Sequence, residues 1–256
     1  MHFTEAVFLG VLQGLAEWLP ISSEGFVTLF SRLVFGRSLE SALVSAIWLH
    51  LGTLMSAVVY LRKDVAMVLG GIVSPGRGRT MLVFLVVATL ASAVTAVPLL
   101  VLFRGLAVAD SAFALLVGLF LILAAFMPRK AILNELVSLR AALLVGFVQG
   151  FSILPGVSKA GVTVTALLLL GNTIHDAFRT SFLMSIPVVA GAQLLLPALF
   201  EVFTVNVEMI AGAAAAFVTG VLTMRLLMTA SIKLNHRKLM LALGALVMLL
   251  GVSMFL

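Results

Sequence analysis

The sequence predicts an all-α integral membrane protein, an inverted-topology repeat in which each half is a re-entrant helical hairpin plus three transmembrane helices. Three observations predict it. First, 62% of the 256 residues are hydrophobic and only 10% are charged, with a mean hydropathy of +1.26. A soluble domain carries about 25% charged residues, so this chain cannot cover a water-facing surface and lipid must take the solvent's place. Second, six segments reach the ~20 apolar residues a helix needs to cross the hydrocarbon core, while four others are apolar but too short or interrupted. Third, the short segments form two pairs that are copies of each other.

The first pair runs over about 4–19 and 23–35 and is joined by Leu19-Pro20-Ile21-Ser22-Ser23-Glu24-Gly25. Full spans follow at about 42–61, 80–103 and 108–127. The second pair, about 140–153 and 159–171, is joined by Leu154-Pro155-Gly156-Val157-Ser158-Lys159-Ala160-Gly161, with spans at about 178–200, 205–228 and 238–256. Gly10-Val11-Leu12-Gln13-Gly14 returns as Gly146-Phe147-Val148-Gln149-Gly150. After a one-residue gap, Leu19-Pro20-x-x-Ser23 returns as Leu154-Pro155-x-x-Ser158. The order and spacing divide one transmembrane domain, residues 1–256, into repeats of about 1–128 and 139–256.

Topology follows by counting. A re-entrant hairpin enters and leaves on one side, and three spans follow it, so the second hairpin enters from the opposite face and the two tips meet near the midplane. Irregular backbone at that depth survives only against protein or a cavity, because lipid cannot satisfy its N–H and C=O groups. Loop charges agree. Arg62, Lys63, Arg77, Arg79, Arg129, Lys130, Arg140, Arg179, Arg225, Lys233, Arg237 and Lys238 fall on the side of the second hairpin, against Arg32, Arg37 and Arg104 on the other. Twelve against three marks the cytoplasmic face, which places both termini outside a multi-pass protein of the cell membrane. Ten crossings is the competing arrangement, but it strands Glu17, Ser22, Ser23 and Glu24 beside hydrocarbon, and hairpins are preferred.

The same bias accounts for the net charge of +6, and with no basic cluster interleaved with exposed aromatics, nucleic acid is not expected as a partner. There are no cysteines, which excludes disulfides, thiolate metal sites and cysteine nucleophiles. Met1-His2-Phe3-Thr4-Glu5 lacks a basic signal region, so the first apolar segment is expected to be retained.

Ionisable residues within apolar segments are costly and usually functional. Glu17 lies one turn after Gln13 on the same helix face. Glu24 follows the first break, and Lys159 takes the matching place in the second. The tips therefore gather Glu17, Glu24, Ser22, Ser23, Ser158 and Lys159. Two half-helices begin there, and their free N–H groups and dipoles suit a phosphate; Gly25, Gly156 and Gly161 allow close backbone approach. Simpler readings stand beside this one. Ser22 or Ser23 serves as an N-cap alone, and Glu17 with Lys159 forms an ion pair tying the hairpins together. Gln13 and Gln149 bond backbone across the hairpins, the favoured role for Gln149. His50, with no acidic or histidine neighbour at ligand spacing, reads as a core histidine. His175 and His236 carry no motif. Glu5, Asp64, Asp110, Glu201 and Glu208, at span ends, read as solvated.

At these residues the sequence resembles the undecaprenyl-diphosphate phosphatase family linked to bacitracin resistance. Gly10 to Gly25 and Gly146 to Gly171 carry the likeness, with a weaker match from Asp176-Ala177-Phe178-Arg179 through Ser185 to Ala192, so it covers essentially the whole chain. That family has Glu-x-x-x-Glu followed by Leu-Pro-x-Ser-Ser, and later Pro-Gly-x-Ser-Arg-Ser-Gly-x-Thr. Here Glu17, Ser22, Ser23, Pro155, Gly156, Ser158, Gly161 and Thr163 are kept. Gln13 replaces the first glutamate, Phe26 a histidine, Lys159 the arginine and Ala160 a serine. The chain is thus similar to a divergent member, with a charge kept at Lys159 but its bidentate fork lost.

The resemblance implies a membrane phosphatase that converts a polyprenyl diphosphate to the monophosphate. It suggests Ser23 as nucleophile, Glu17 as base or metal-coordinating carboxylate, and Lys159 as the cation on the diphosphate. Gln13, Ser22, Glu24, Gly25, Gly156, Ser158, Gly161 and Thr163 are expected to bind substrate. A divalent cation, Mg2+ or Ca2+, is expected with them. The alternative is a flippase or transporter of a phospho-lipid or small anion working through the same repeat.

Overall fold

The computed structural model of the chain describes residues 2–102, 138–154, 157–195, 206–233 and 235–253, together with 115, 118, 119, 121–123, 125 and 126. Every regular element among the described residues is helical. Residues 2–102 contain α1 (Phe3–Ala16), α2 (Ser23–Leu33), α3 (Leu39–Tyr60), α4 (Arg62–Gly70) and α5 (Arg77–Leu102). The described residues from 138 on contain α6 (Leu139–Gly150), α7 (Lys159–Leu169), α8 (Ile174–Leu195), α9 (Val207–Lys233) and α10 (His236–Ser253), with a 3-10 turn at Phe151–Ile153 extending α6.

Three of these helices, α3, α5 and α9, are long and apolar enough to cross a membrane, whereas α1, α6 with its extension, and α7 are apolar but shorter. The expected spans near 178–200 and 238–256 correspond to α8 and α10. The expected span at 108–127 lies largely outside the described residues, as do Pro155 and Gly156. Along α5, Val83, Val86, Leu90, Val94, Val97 and Val101 are exposed, while Phe84, Leu85, Ala88, Ser92 and Thr95 are buried. A helix that turns branched apolar side chains outward at this spacing faces lipid and not water. The protein is a multi-pass membrane protein.

Short polar side chains start the helices. Ser22, Ser38, Ser138 and Ser158 each accept the backbone N–H three residues on, and Asn206 caps α9 through Met209. Each cap satisfies one of the N–H groups a helix start leaves over. α4 was not expected, because residues 62–70 read as a charged loop. Its Asp64 makes a two-pronged pair with Arg179 of α8, at 2.6 and 3.1 Å, which ties α4 to that helix. Glu5 is held in the same manner by Arg37, at 2.6 and 2.8 Å. Asp64 and Glu5 are therefore buried and paired, which corrects the solvated reading of both.

Packing exchanges between the two halves. α1 lies on α9, and α6 lies on α5. A Cβ placed on Gly10 or Gly14 would strike Gly212, Ala216 and Thr219; one on Gly146 or Gly150 would strike Ala88, Ser92 and Thr95. In each set the struck residues lie along one face of the partner helix. Small residues four apart let backbones close up where no water drives them together. The tip of the first hairpin is anchored by Trp18, whose ring meets Phe182 of α8 edge-on at 5.0 Å.

Candidate functional site

The two hairpin tips touch. Ser158, the cap of α7, accepts from Gly161 N–H at 3.0 Å and donates to the Leu19 carbonyl at 3.3 Å. A turn away, Lys159 Nζ meets Glu17 Oε1 at 2.8 Å. Both contacts join residues far apart in sequence, 139 and 142 positions from each other. α7 restarts with the Ser158 cap, and the next side chain, Lys159, reaches across to the first tip, whereas Ser23, which follows the Ser22 cap, turns back to Glu17 of its own hairpin.

Glu17, 5% exposed, is the hub. Its Oε2 accepts from Ser23 Oγ at 2.6 Å and from Gln13 Nε2 at 2.9 Å, and His50 Nε2 lies 3.2 Å from the same atom. A charge this deep is costly unless opposite charge and donors surround it. Here an ammonium, an amide, a hydroxyl and an imidazole do so. Gln13 sits one turn before Glu17 and fixes the carboxylate's orientation; it does not bond backbone across the hairpins. The hydroxyl of Ser23 points its proton at a carboxylate, the geometry of a nucleophile beside its base.

A cavity of about 150 Å³ opens against this cluster. Glu17, Ser22, Ser23, Glu24, His50 and Lys159 border it, with Ser92 of α5 and Gln149 of α6 on the far wall. Gln149 donates to Ser92 Oγ at 3.1 Å, so its partner is a side chain and not backbone. Next to the cavity, an apolar groove of about 340 Å³ runs between α4, α5 and α8, past Leu85, Val86, Leu183 and Ile186.

The expected residues separate into groups. Glu17, Ser22, Ser23, Glu24 and Lys159 share the cavity wall. Gln13 and Ser158 act on that wall from behind. Gly25 and Gly161 give their N–H groups to the caps. Thr163 lies elsewhere: fully buried, its hydroxyl is 2.6 Å from Ser181 of α8 and packs α7 onto that helix. Gly156 is outside the described residues. Phe26 stacks on Phe30 within α2. Sequence reasoning missed His50. Glu17 is the acidic neighbour it lacked along the chain, and a histidine within an apolar span was the signal available.

Glu17 does not suit a resident cation. Its oxygens are taken by four donors, one of them an ammonium that a divalent ion would have to displace. Among the described residues, no three of His, Asp and Glu gather at ligand distance.

Known proteins resemble the chain over its length. The description of the family of bacitracin resistance protein BacA matches residues 6–252. An undecaprenyl-diphosphatase of Methanococcoides burtonii is 35% identical over 258 aligned positions, covering 96% of this chain and 97% of that protein. Another, from Methanothrix thermoacetophila, is 37% identical over 235 positions and 89% of each chain. One from Geobacter sulfurreducens is 38% identical over 205 positions and 76% of each.

Proposed function

The chain belongs to the bacitracin resistance protein BacA family, and from that premise we propose that it is a membrane phosphatase that hydrolyses undecaprenyl diphosphate to the monophosphate, recycling a lipid carrier. The observation that carries this onto particular residues is the 2.6 Å hydrogen bond from Ser23 to Glu17, placed beside Lys159 at the edge of a polar cavity. Ser23 Oγ attacks the terminal phosphorus as its proton passes to Glu17. The bond from that phosphorus to the bridging oxygen breaks, and the prenyl monophosphate leaves. Water then hydrolyses the phosphoserine, releasing phosphate and restoring the hydroxyl. Lys159 and the N–H groups at the starts of α2 and α7, which lack intrahelical acceptors, hold the charge that grows on the phosphoryl oxygens.

The fold behind this site is proposed to be an inverted repeat of two re-entrant hairpins and six spans in a single domain, with both termini outside. Its support is the exchanged packing of α1 on α9 and α6 on α5. The prenyl chain is proposed to leave the cavity along the apolar groove between α5 and α8. Leu85→Trp, which fills that groove, should raise KM for the C55 lipid and leave a short-chain diphosphate unaffected; equal effects on both would remove the groove from the account.

The test of function is phosphate release from undecaprenyl diphosphate by purified, folded protein. Release is expected, and none across a range of magnesium and calcium concentrations would count against hydrolysis. A divalent cation is proposed to arrive on the diphosphate oxygens and not on Glu17. Chelation should then slow the assay, and unchanged turnover would dismiss the cation.

A further inference from the structure

His50 borders the cavity and touches its central carboxylate, yet the scheme of nucleophile, base and cation leaves it without a task. It comes from the middle of α3, far from both hairpin tips in sequence, and its side chain is 17% exposed. Nδ1 lies 2.7 Å from the Ala46 carbonyl, and Nε2 lies 3.2 Å from Glu17 Oε2. A carbonyl and a carboxylate only accept. An imidazole that bonds to both donates from both ring nitrogens, and in that form it is a cation. The charged groups facing it are Glu17 at the end of α1, Glu24 on α2 and Lys159 on α7. Among the described residues, α5, α6 and α8 bring to this cavity only uncharged side chains.

We propose that His50 is the catalytic acid of this site, protonating the bridging oxygen as the prenyl monophosphate departs. The proposal rests on the phosphatase reading and adds a residue to it. Before reaction, Glu17 holds both cations, the Lys159 ammonium and the His50 imidazolium. When Ser23 Oγ bonds to phosphorus, its proton neutralises Glu17, and neither cation retains that counter-charge. The release coincides with the growth of negative charge on the phosphate, so the attraction is stronger in the transition state than before it. The Nε2 proton then moves to the bridging oxygen as the oxygen–phosphorus bond breaks, leaving a neutral ring. In the second half, water attacks the phosphoserine and gives its proton to His50 Nε2. The Ser23 oxygen leaves and recovers its proton from Glu17. Both groups end as they began, and one water is consumed per phosphate released.

The experiment compares the unmutated protein with His50→Asn and His50→Gln, in undecaprenyl diphosphate hydrolysis across pH. Asparagine retains a donor for the Ala46 carbonyl, and glutamine retains an amide that reaches Glu17. Loss of a proton donor lowers kcat by about 10²- to 10⁴-fold in both. KM moves little, and the decline in kcat at alkaline pH disappears. Parental kcat in His50→Gln would overturn the proposal, since an amide can hold Glu17 but cannot supply a proton. If neither variant folds, the unmutated protein decides: its kcat must fall as the imidazolium is lost, and a flat profile from about pH 6 to about pH 9 overturns the proposal. An unmutated protein that releases no phosphate at any pH is a different outcome, for it removes the phosphatase reading itself.

Discussion

Ser23, Glu17 and Lys159 form a chain of contacts in which each member depends on the next. The hydroxyl gives its proton direction to the carboxylate, and the carboxylate is kept ionised in an apolar bundle by the ammonium. The ion pair that stood as an alternative to a catalytic role is present, and it supports the geometry of that role. Lys159→Met should lower turnover by about 10²-fold or more. It should also lower the melting temperature, because a buried carboxylate that loses its partner costs about 3–5 kcal/mol. Lys159→Arg should preserve most of both. Phosphate release and thermal unfolding check these outcomes, and a Lys159→Met protein with parental turnover would remove the cation from the site. Glu17, Ser23 and Lys159 were legible because burying a charge inside an apolar half-helix is too costly to persist without a task. His50 was not, since its carboxylate neighbour is supplied by tertiary packing. Thr163 was misplaced because a shared motif does not say which face of α7 meets the cavity.

The half-helices set where those side chains arrive. Ser22 is a cap, as the simpler reading held, and Ser158 is its counterpart; by ending the breaks they fix where α2 and α7 start. The glycines of α1 and α6 then fix depth. A side chain at Gly146 would strike the backbone around Ala88, so Gly146→Ala should cost about 1–3 kcal/mol through overpacking. The change should also weaken turnover, as the second tip backs away from the first. Gly70→Ala is the control, because a Cβ there meets nothing. Equal melting temperatures for the two variants would contradict the close-packed interface. The length of each half-helix and its serine cap could be read along the chain. α4 was not, and the pair of Asp64 with Arg179 that ties it to α8 joins residues far apart in sequence.

Among the described residues, the long helices turn apolar side chains outward, and the buried carboxylates of Glu5, Glu17 and Asp64 are each paired with a cation. Arg37, one of the three cations against the charge bias, is paired with Glu5. The absence of cysteine makes the orientation measurable without background. An impermeant maleimide should label His2→Cys in intact cells and Ser74→Cys only after permeabilisation; the reverse would invert the protein in the membrane. Composition was enough to read an all-helical membrane fold. What could not be read was the exchange itself, in which each hairpin packs on the long helix of the opposite half, because contacts between halves leave no local trace in sequence.

The most direct measurement follows the terminal phosphorus. Undecaprenyl diphosphate labelled there is mixed with the protein, the reaction is quenched in acid during turnover, and the label is mapped by mass spectrometry. A phosphate on Ser23, absent from Ser23→Ala, is the predicted result. Phosphate release at the parental rate by Ser23→Ala, with no label on either protein, would contradict the account.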